Sequence, residues 1–402
     1  EKPPAPASLA SASQRADVRA KTGNGATNDE PKEKTKERWY ENIRFRGYFQ
    51  VRYNGIAATN PDLRNAQGDK SIGEPAGFFA RRARIVLHGD LNRHLSIYLQ
   101  PDFASALSDG LNFGQMRDWY ADIFLDRQKM FRFRVGQQKV PYGFENVQSS
   151  SNRLPFDRGD ALNSGAPNER DMGVTLMWSP TEARRRFRIL ADSGHKGTGD
   201  YGVVALAVTN GQSANAAERN DGRHVALRLS YPFRLANGQF VEAGASGYVG
   251  RFVPTSRTEG VAGPEAFDDE RVAAHVVVYP QPFGVAAEWT TGRGPRFVPD
   301  ETRIETARLE GGYLQAMYRT TVGGQALIPF ARVQYFEGGK KHELDARRYD
   351  VRELELGAEW TPWKALELTA AYVVADRRYE DALAPENRQK GQLLRVQAQV
   401  NY

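Results

Sequence analysis

Cysteine is absent from the 402 residues. Disulfides, thiolate metal sites and thiol chemistry are therefore excluded. Histidine is scarce: the six are His88, His94, His195, His224, His275 and His342, and no two have a metal-ligand spacing such as His-Glu-x-x-His. No stretch approaches the roughly 18–20 apolar residues of a membrane-spanning helix. A secretory signal pattern is also missing, and Glu1-Lys-Pro-Pro reads as the start of a mature chain. The glycine pairs Gly292/Gly294 and Gly338/Gly339 are not followed by a helical pattern, so they do not form phosphate cradles. Glu353 and Glu355 share one strand face, which is ordinary for a polar face. No catalysis, metal or cofactor is expected.

Alternation is abundant. In Phe79–Leu91, Ala83, Ile85, Leu87 and Gly89 fall on one face, and Arg82, Arg84, His88 and Asp90 on the other. A turn at Asn92-Arg93-His94 leads to a second run, in which Leu95, Ile97 and Leu99 oppose Ser96, Tyr98 and Gln100. This is a β-hairpin with one apolar and one charged face. A soluble sandwich would bury the apolar face. A membrane barrel shows it to lipid and keeps the charge in a wet lumen. The mean hydropathy of −0.61 does not decide between them, because a barrel strand needs only every second residue apolar.

Residues 1–38 are Pro-, Ala- and Ser-rich, then densely charged, and read as a flexible leader with a short charged helix allowed at Lys32–Trp39. Strands are expected over Ile43–Tyr53, in the hairpin, over Asp118–Asp126 and 131–135, and then at regular spacing to Leu393–Tyr402. Short turns alternate with long, Gly- and charge-rich loops near 54–77, 104–116, 139–170, 210–222, 253–270, 292–306, 338–350 and 377–390. This rhythm predicts an all-β fold: a transmembrane antiparallel β-barrel with two unlike rims, over residues 39–402. Phe187–Ala191 breaks the rhythm, because a strand there would make seventeen. A closed bacterial barrel of this kind has an even number of strands. Residues 179–200 are therefore expected to be an elaborated periplasmic connection, or the start of one longer strand ending at Thr209. The count is then about sixteen, wide enough for an aqueous channel.

The segment Arg81–Gly89 is similar to the second strand of the phosphate-selective porins O and P. So is Arg134-Val-Gly-Gln-Gln-Lys-Val-Pro-Tyr-Gly-Phe-Glu145, followed by Ser149–Ser151 and Arg170-Asp-Met-Gly-Val174. The resemblance covers 40–402 and is firmest over 40–180. It implies a bacterial outer-membrane location, a homotrimer, an inward-folded third extracellular loop and a lumen lined by Arg and Lys that passes anions. Residues 139–170 stand where that constriction loop belongs. The C-terminal strand resembles the barrel-assembly signal, with Tyr402 where phenylalanine is more usual.

If the polar faces point inward, the candidate pore-lining, anion-binding set is Arg44, Arg46, Arg52, Arg82, Arg84, Arg132, Arg134, Arg228 and Arg395, with Lys139 at the root of the long loop. Guanidinium stays charged and presents a planar fork suited to phosphate oxygens. A file of them lets an anion exchange one partner for the next. The same groups can instead pair with carboxylates on neighbouring strands. By the same parity Glu242, Glu288, Glu353, Glu355, Glu359 and Glu367 also face inward, which fits a transverse field and a weakly selective general porin. Arg308 and Glu310 lie where parity is ambiguous. Inward Tyr48 and Tyr98 fill space or line a solute path. The expected partners are small anions with phosphate leading, outer-membrane lipid and lipopolysaccharide, and further copies of the chain, but not nucleic acid. A structural barrel that binds another envelope component is the alternative from a different class.

Overall fold

The computed structural model describes residues 38–64, 71–107, 110–166 and 170–402. The leader and most of its candidate helix lie outside the described residues; a single helical turn covers Trp39–Asn42. Sixteen antiparallel strands follow among the described residues. They are β1 (Arg44–Ile56), β2 (Phe79–Asn92), β3 (Leu95–Leu107), β4 (Gly110–Phe124), β5 (Phe131–Lys139), β6 (Arg170–Trp178), β7 (Val204–Thr209) and β8 (His224–Arg234). The second half holds β9 (Phe240–Phe252), β10 (Phe267–Val278), β11 (Phe283–Val298), β12 (Arg303–Tyr318), β13 (Gln325–Gly339), β14 (Arg348–Trp363), β15 (Leu366–Glu380) and β16 (Arg388–Asn401). After a break at Arg319, Thr320–Val322 continues β12 along the same partner strand.

Each strand pairs with the next and β1 pairs with β16, so the sheet is a closed ring without a free edge. At the seam, Gly47 N–H donates to the Tyr402 carbonyl at 2.8 Å and Tyr402 N–H to the Gly47 carbonyl at 3.0 Å. A Cβ on residue 47 would stand 2.6 Å from the Tyr402 ring, so only glycine leaves room for it there.

Hydrophobic polarity is inverted relative to a soluble protein. Trp119, Ile123, Phe133, Leu227, Leu229, Leu354 and Leu356 are exposed on the outside. Aromatic rings collect near the strand ends, as in the stacked Phe45–Tyr402 pair at 6.0 Å. Arg52, Arg228 and Arg395, which alternate with such apolar positions, point inward and are no more than 2% exposed. This is the arrangement of an outer-membrane barrel.

The strands run further than their sequence suggests. Most of 104–116 and 292–306, which read as loops, is strand; only 108–109 separates β3 from β4, and a helical turn at Pro299–Glu301 caps β11. Gly and charged residues are tolerated because these ends project past the apolar band, where outward side chains such as Arg308 and Glu310 form an exposed ion pair at 2.7 Å. Phe187–Ala191 is neither a strand of its own nor part of β7. It belongs to helix α3 (Thr181–Asp192), with Ala183, Phe187 and Leu190 buried at helical spacing. Five residues with a single charged one among them fit either period, and the flanking Glu182, Arg185 and Arg186 favour the helix by i,i+3 and i,i+4 pairing.

Candidate functional site

The segment between β5 and β6 turns into the barrel. Its described residues include two short helices, α1 (Phe144–Val147) and α2 (Asp160–Asn163), and Tyr142, Val147 and Leu162 in it are fully buried. Aperiodic sequence with three prolines cannot add a strand, so its backbone groups take partners from the wall. Glu288 on β11 accepts the Glu145 amide at 3.1 Å and the Phe144 amide. Tyr48 on β1 bonds Ser150 at 2.7 Å, and Gln399 on β16 donates to the Ser151 carbonyl at 3.1 Å. The segment thus reaches from β5 to the opposite wall.

Its carboxylates meet the basic wall. Asp157 lies 2.7 Å from Arg52, 3.1 Å from Arg81, 4.0 Å from Arg82 and 2.6 Å from Arg395. Four guanidinium groups from β1, β2 and β16 therefore converge on one side chain. Burial raises the Asp157 pKa, but Arg52, Arg81 and Arg395 outweigh it and hold the carboxyl well below the usual range. Glu145 forks onto Arg332 of β13, and Asp160 onto Lys340 and onto Arg377 of β15 at 2.9 Å. Both are likewise raised by burial and lowered further by those cations.

The sequence-derived set divides by position. Arg44 and Arg46 open β1 at the rim and are exposed. Arg52 and Arg395 join the Asp157 group, as does Arg82, which also donates to Gln50 at 2.8 Å. Arg84 bonds Asp102 at 2.7 Å and Ser150 at 3.0 Å. Arg132 pairs with Asp200 at 2.8 Å. Arg134 grips Asp122 with two bonds of 2.7 and 2.9 Å and stacks 3.8 Å from the Tyr120 ring. Arg228 pairs with Glu242 at 3.3 Å. Lys139 donates to the Val147 and Gln148 carbonyls at 3.0 and 2.8 Å, bracing the inserted segment. Tyr98 stacks on Tyr120 at 5.0 Å.

All six inward glutamates read from parity do face in. Glu353 bonds Arg377 at 3.1 Å, Glu359 and Glu367 meet Lys196, and Glu288 holds the loop amides. The lumen beside the loop is tightly filled. A cavity lined by Phe144, Leu154, His195, Lys196 and Met317 holds about 20 Å³, roughly the space of one water.

Parity alone misses several members. Arg81 has outward parity, but Gln50 pairs with Arg82 and Val51 with Ala80, leaving Arg81 as the extra residue of a β-bulge aimed at Asp157. Arg377 lies in a stretch that reads as loop and is strand. Arg332 sits on an inward face shared with Ile328, Phe330 and Phe336, which blurs its polar character. Asp157 and Asp160 belong to the one long aperiodic segment, which marks the segment and not the residues.

A family model described as phosphate-selective porin O and P matches residues 49–402. No curated protein matches the chain in sequence. Among solved structures, the outer membrane channel DcaP of Acinetobacter baumannii superposes with a TM-score of 0.53 at 14% identity, covering 90% of this chain and 97% of that one. OmpF of Salmonella typhi, solved with daunomycin, gives 0.56 at 15%, with 90% and 97% covered. An anion-selective porin from Comamonas acidovorans gives 0.53 at 10%, with 90% and 99% covered. These likenesses concern the fold. The family match spans nearly the whole barrel, and with the inverted polarity of the wall it makes the chain a porin of the bacterial outer membrane, belonging to the phosphate-selective porin O and P family.

Proposed function

We propose that the protein passes small anions by diffusion, with phosphate the leading candidate, and that selection occurs where the 139–170 segment meets the arginines of β1, β2 and β16. The observation that carries this reading is the convergence of Arg52, Arg81, Arg82 and Arg395 on Asp157. Four forked donors around one carboxylate are chemically a site for an oxyanion. A solute oxyanion competes with Asp157 for the same donors, and exchange between them gives binding weak enough for release. The family name and the anion selectivity printed for the Comamonas neighbour point the same way.

The zero-current potential of the purified protein in a planar bilayer under a potassium chloride gradient tests this. Anion preference is expected, with chloride current reduced by added phosphate. Cation preference without block would instead support a weakly selective general porin. The acidic wall of Glu353, Glu355, Glu359 and Glu367 on β14 and β15 favours that second reading. Absence of conductance from folded protein would favour the structural-barrel alternative. The trimer and the lipopolysaccharide contacts implied by the family resemblance belong to this proposal, and light scattering of the detergent-solubilised protein checks the assembly.

A further inference from the structure

Five of the six other connections on the rim opposite the long loops are turns of a few residues, and the sixth, 125–130, is hardly longer. The β6–β7 connection is far longer, and its path is unlike that of a surface loop. Helix α3 packs against β8, and its Ala183, Phe187 and Leu190 are buried. The chain then turns back into the barrel as Gly194-His-Lys-Gly-Thr-Gly199, where Lys196, Gly197 and Thr198 are buried.

Lys196 is the decisive contact. Its Nζ lies 2.5 Å from Glu359 on β14 and 3.3 Å from Glu367 on β15. In a ring of sixteen strands, the β6–β7 junction and the β14–β15 pair stand eight strands apart. That is half the circumference, so the segment spans the diameter of the pore. It also meets the inserted loop. Asn152 donates to the Gly197 carbonyl at 2.5 Å and Gln148 to the Lys196 carbonyl. On the way across, Arg319 at the end of β12 donates to His195 Nδ1 at 3.3 Å. Glycine is required at 197, where a Cβ would stand 2.7 Å from that of Leu190.

We infer that residues 193–200 form a second, periplasmic constriction of the permeation path, held across the pore by the bridge from Lys196 to Glu359 and Glu367. A solute that has passed the arginines around Asp157 meets this strap before the periplasm. Lys196 acts through the two glutamates as a positioning residue, and its release lets the strap swing on Gly194 and Gly199, both at positive φ. The inference needs the chain to be a channel, but it does not need the channel to prefer anions.

The cysteine-free sequence allows a clean test. Lys196→Cys and Glu367→Cys are introduced together and joined by a short reducible bis-thiosulfonate cross-linker. Bilayer conductance is then recorded before and after adding reductant. A several-fold lower current when linked, close to that of the wild type and raised again on reduction, is expected, with ion preference after reduction unchanged from the unlinked double variant. Undiminished current in the linked protein would overturn the inference, and so would failure of the two positions to link in folded barrel. A second variant, Lys196→Met, keeps the side-chain volume and removes the bridge. Its folded state is checked by heat-modifiable gel mobility, and a several-fold rise in open-channel current is expected. Wild-type current from this variant would count against the latch. Ion selectivity, read in the same recordings, reports on the anion proposal separately.

Discussion

Asp157 carries more of the site than any single arginine around it. A carboxylate is the one group whose removal leaves four guanidinium groups facing each other in a buried place. Breaking a buried ion pair by removing one partner costs about 3–5 kcal/mol. Asp157→Asn should therefore lower the urea resistance of the folded protein in vesicles by that order. It should also shift the zero-current potential further toward anions, because the freed donors then face solute. An unchanged potential would mean that these arginines hold the loop and do not select ions. Acid should reach the same end by another route. The Asp157, Glu145 and Asp160 carboxyls have folded pKa values below their unfolded ones. Their contribution is therefore complete above the unfolded pKa of about 4, and it is lost only as pH falls through the lower folded values. The difference in urea resistance between wild type and Asp157→Asn should therefore be the same at pH 7 and pH 5, and it should shrink only in stronger acid. At this scale the sequence revealed the wall better than its counter-ions. Period-two parity placed Arg52, Arg82, Arg84, Arg134, Arg228 and Arg395 correctly on the inner face. It failed at Arg81, because a bulge changes parity locally and leaves no mark in a single sequence. It was also silent on which acids of an aperiodic loop would seat against which strand.

Among the elements, helix α3 is the departure from a barrel built of hairpins. Its buried Phe187 is 1% exposed. Truncating a buried phenylalanine to alanine costs about 3–5 kcal/mol. Because α3 supplies no strand to the ring, Phe187→Ala should loosen this connection without opening the barrel. The expected result is new protease cleavage within 181–200 while heat-modifiable mobility is kept. Loss of both together would show that the helix is needed for the barrel itself. The sequence pointed to 179–200 as an irregular connection because of the strand count, but it did not reveal the helix. The five residues Phe187–Ala191 are too few to separate a period of two from one of 3.6. The long strands were shortened in the reading for a related reason. Apolar alternation is required only where a strand crosses lipid, and β3, β4, β11 and β12 continue beyond it with Gly and charged residues.

For the whole molecule, the inside-out polarity makes a sharp prediction at adjacent positions. Arg228 is buried in the lumen beside Glu242, and Leu229 next to it faces lipid with 48% of its surface exposed. An arginine on the lipid face near the bilayer midplane costs about 2–4 kcal/mol. Leu229→Arg should lower folding stability in vesicles by that amount, although the change merely repeats its neighbour. A smaller loss would place this stretch of β8 against protein or outside the hydrocarbon. This architecture was the most legible level of all, because inward and outward residues alternate over sixteen strands and isolated errors do not accumulate.

The seam between β1 and β16 sets an order of events. Every other strand finds its neighbour nearby in sequence, but β1 must wait for residues near 394–401. Until those residues are made and exported, the chain carries two unpaired rows of amides and carbonyls that no part of it can satisfy. The notch at Gly47 then receives the ring of Tyr402, so the first strand and the last are matched in shape as well as in hydrogen bonds. Biogenesis of this porin is thus a waiting problem. Factors that shield an incomplete sheet matter for as long as the tail is in transit, and a change at residue 47 would be felt against the Arg84 carbonyl of β2 first and again at this final step.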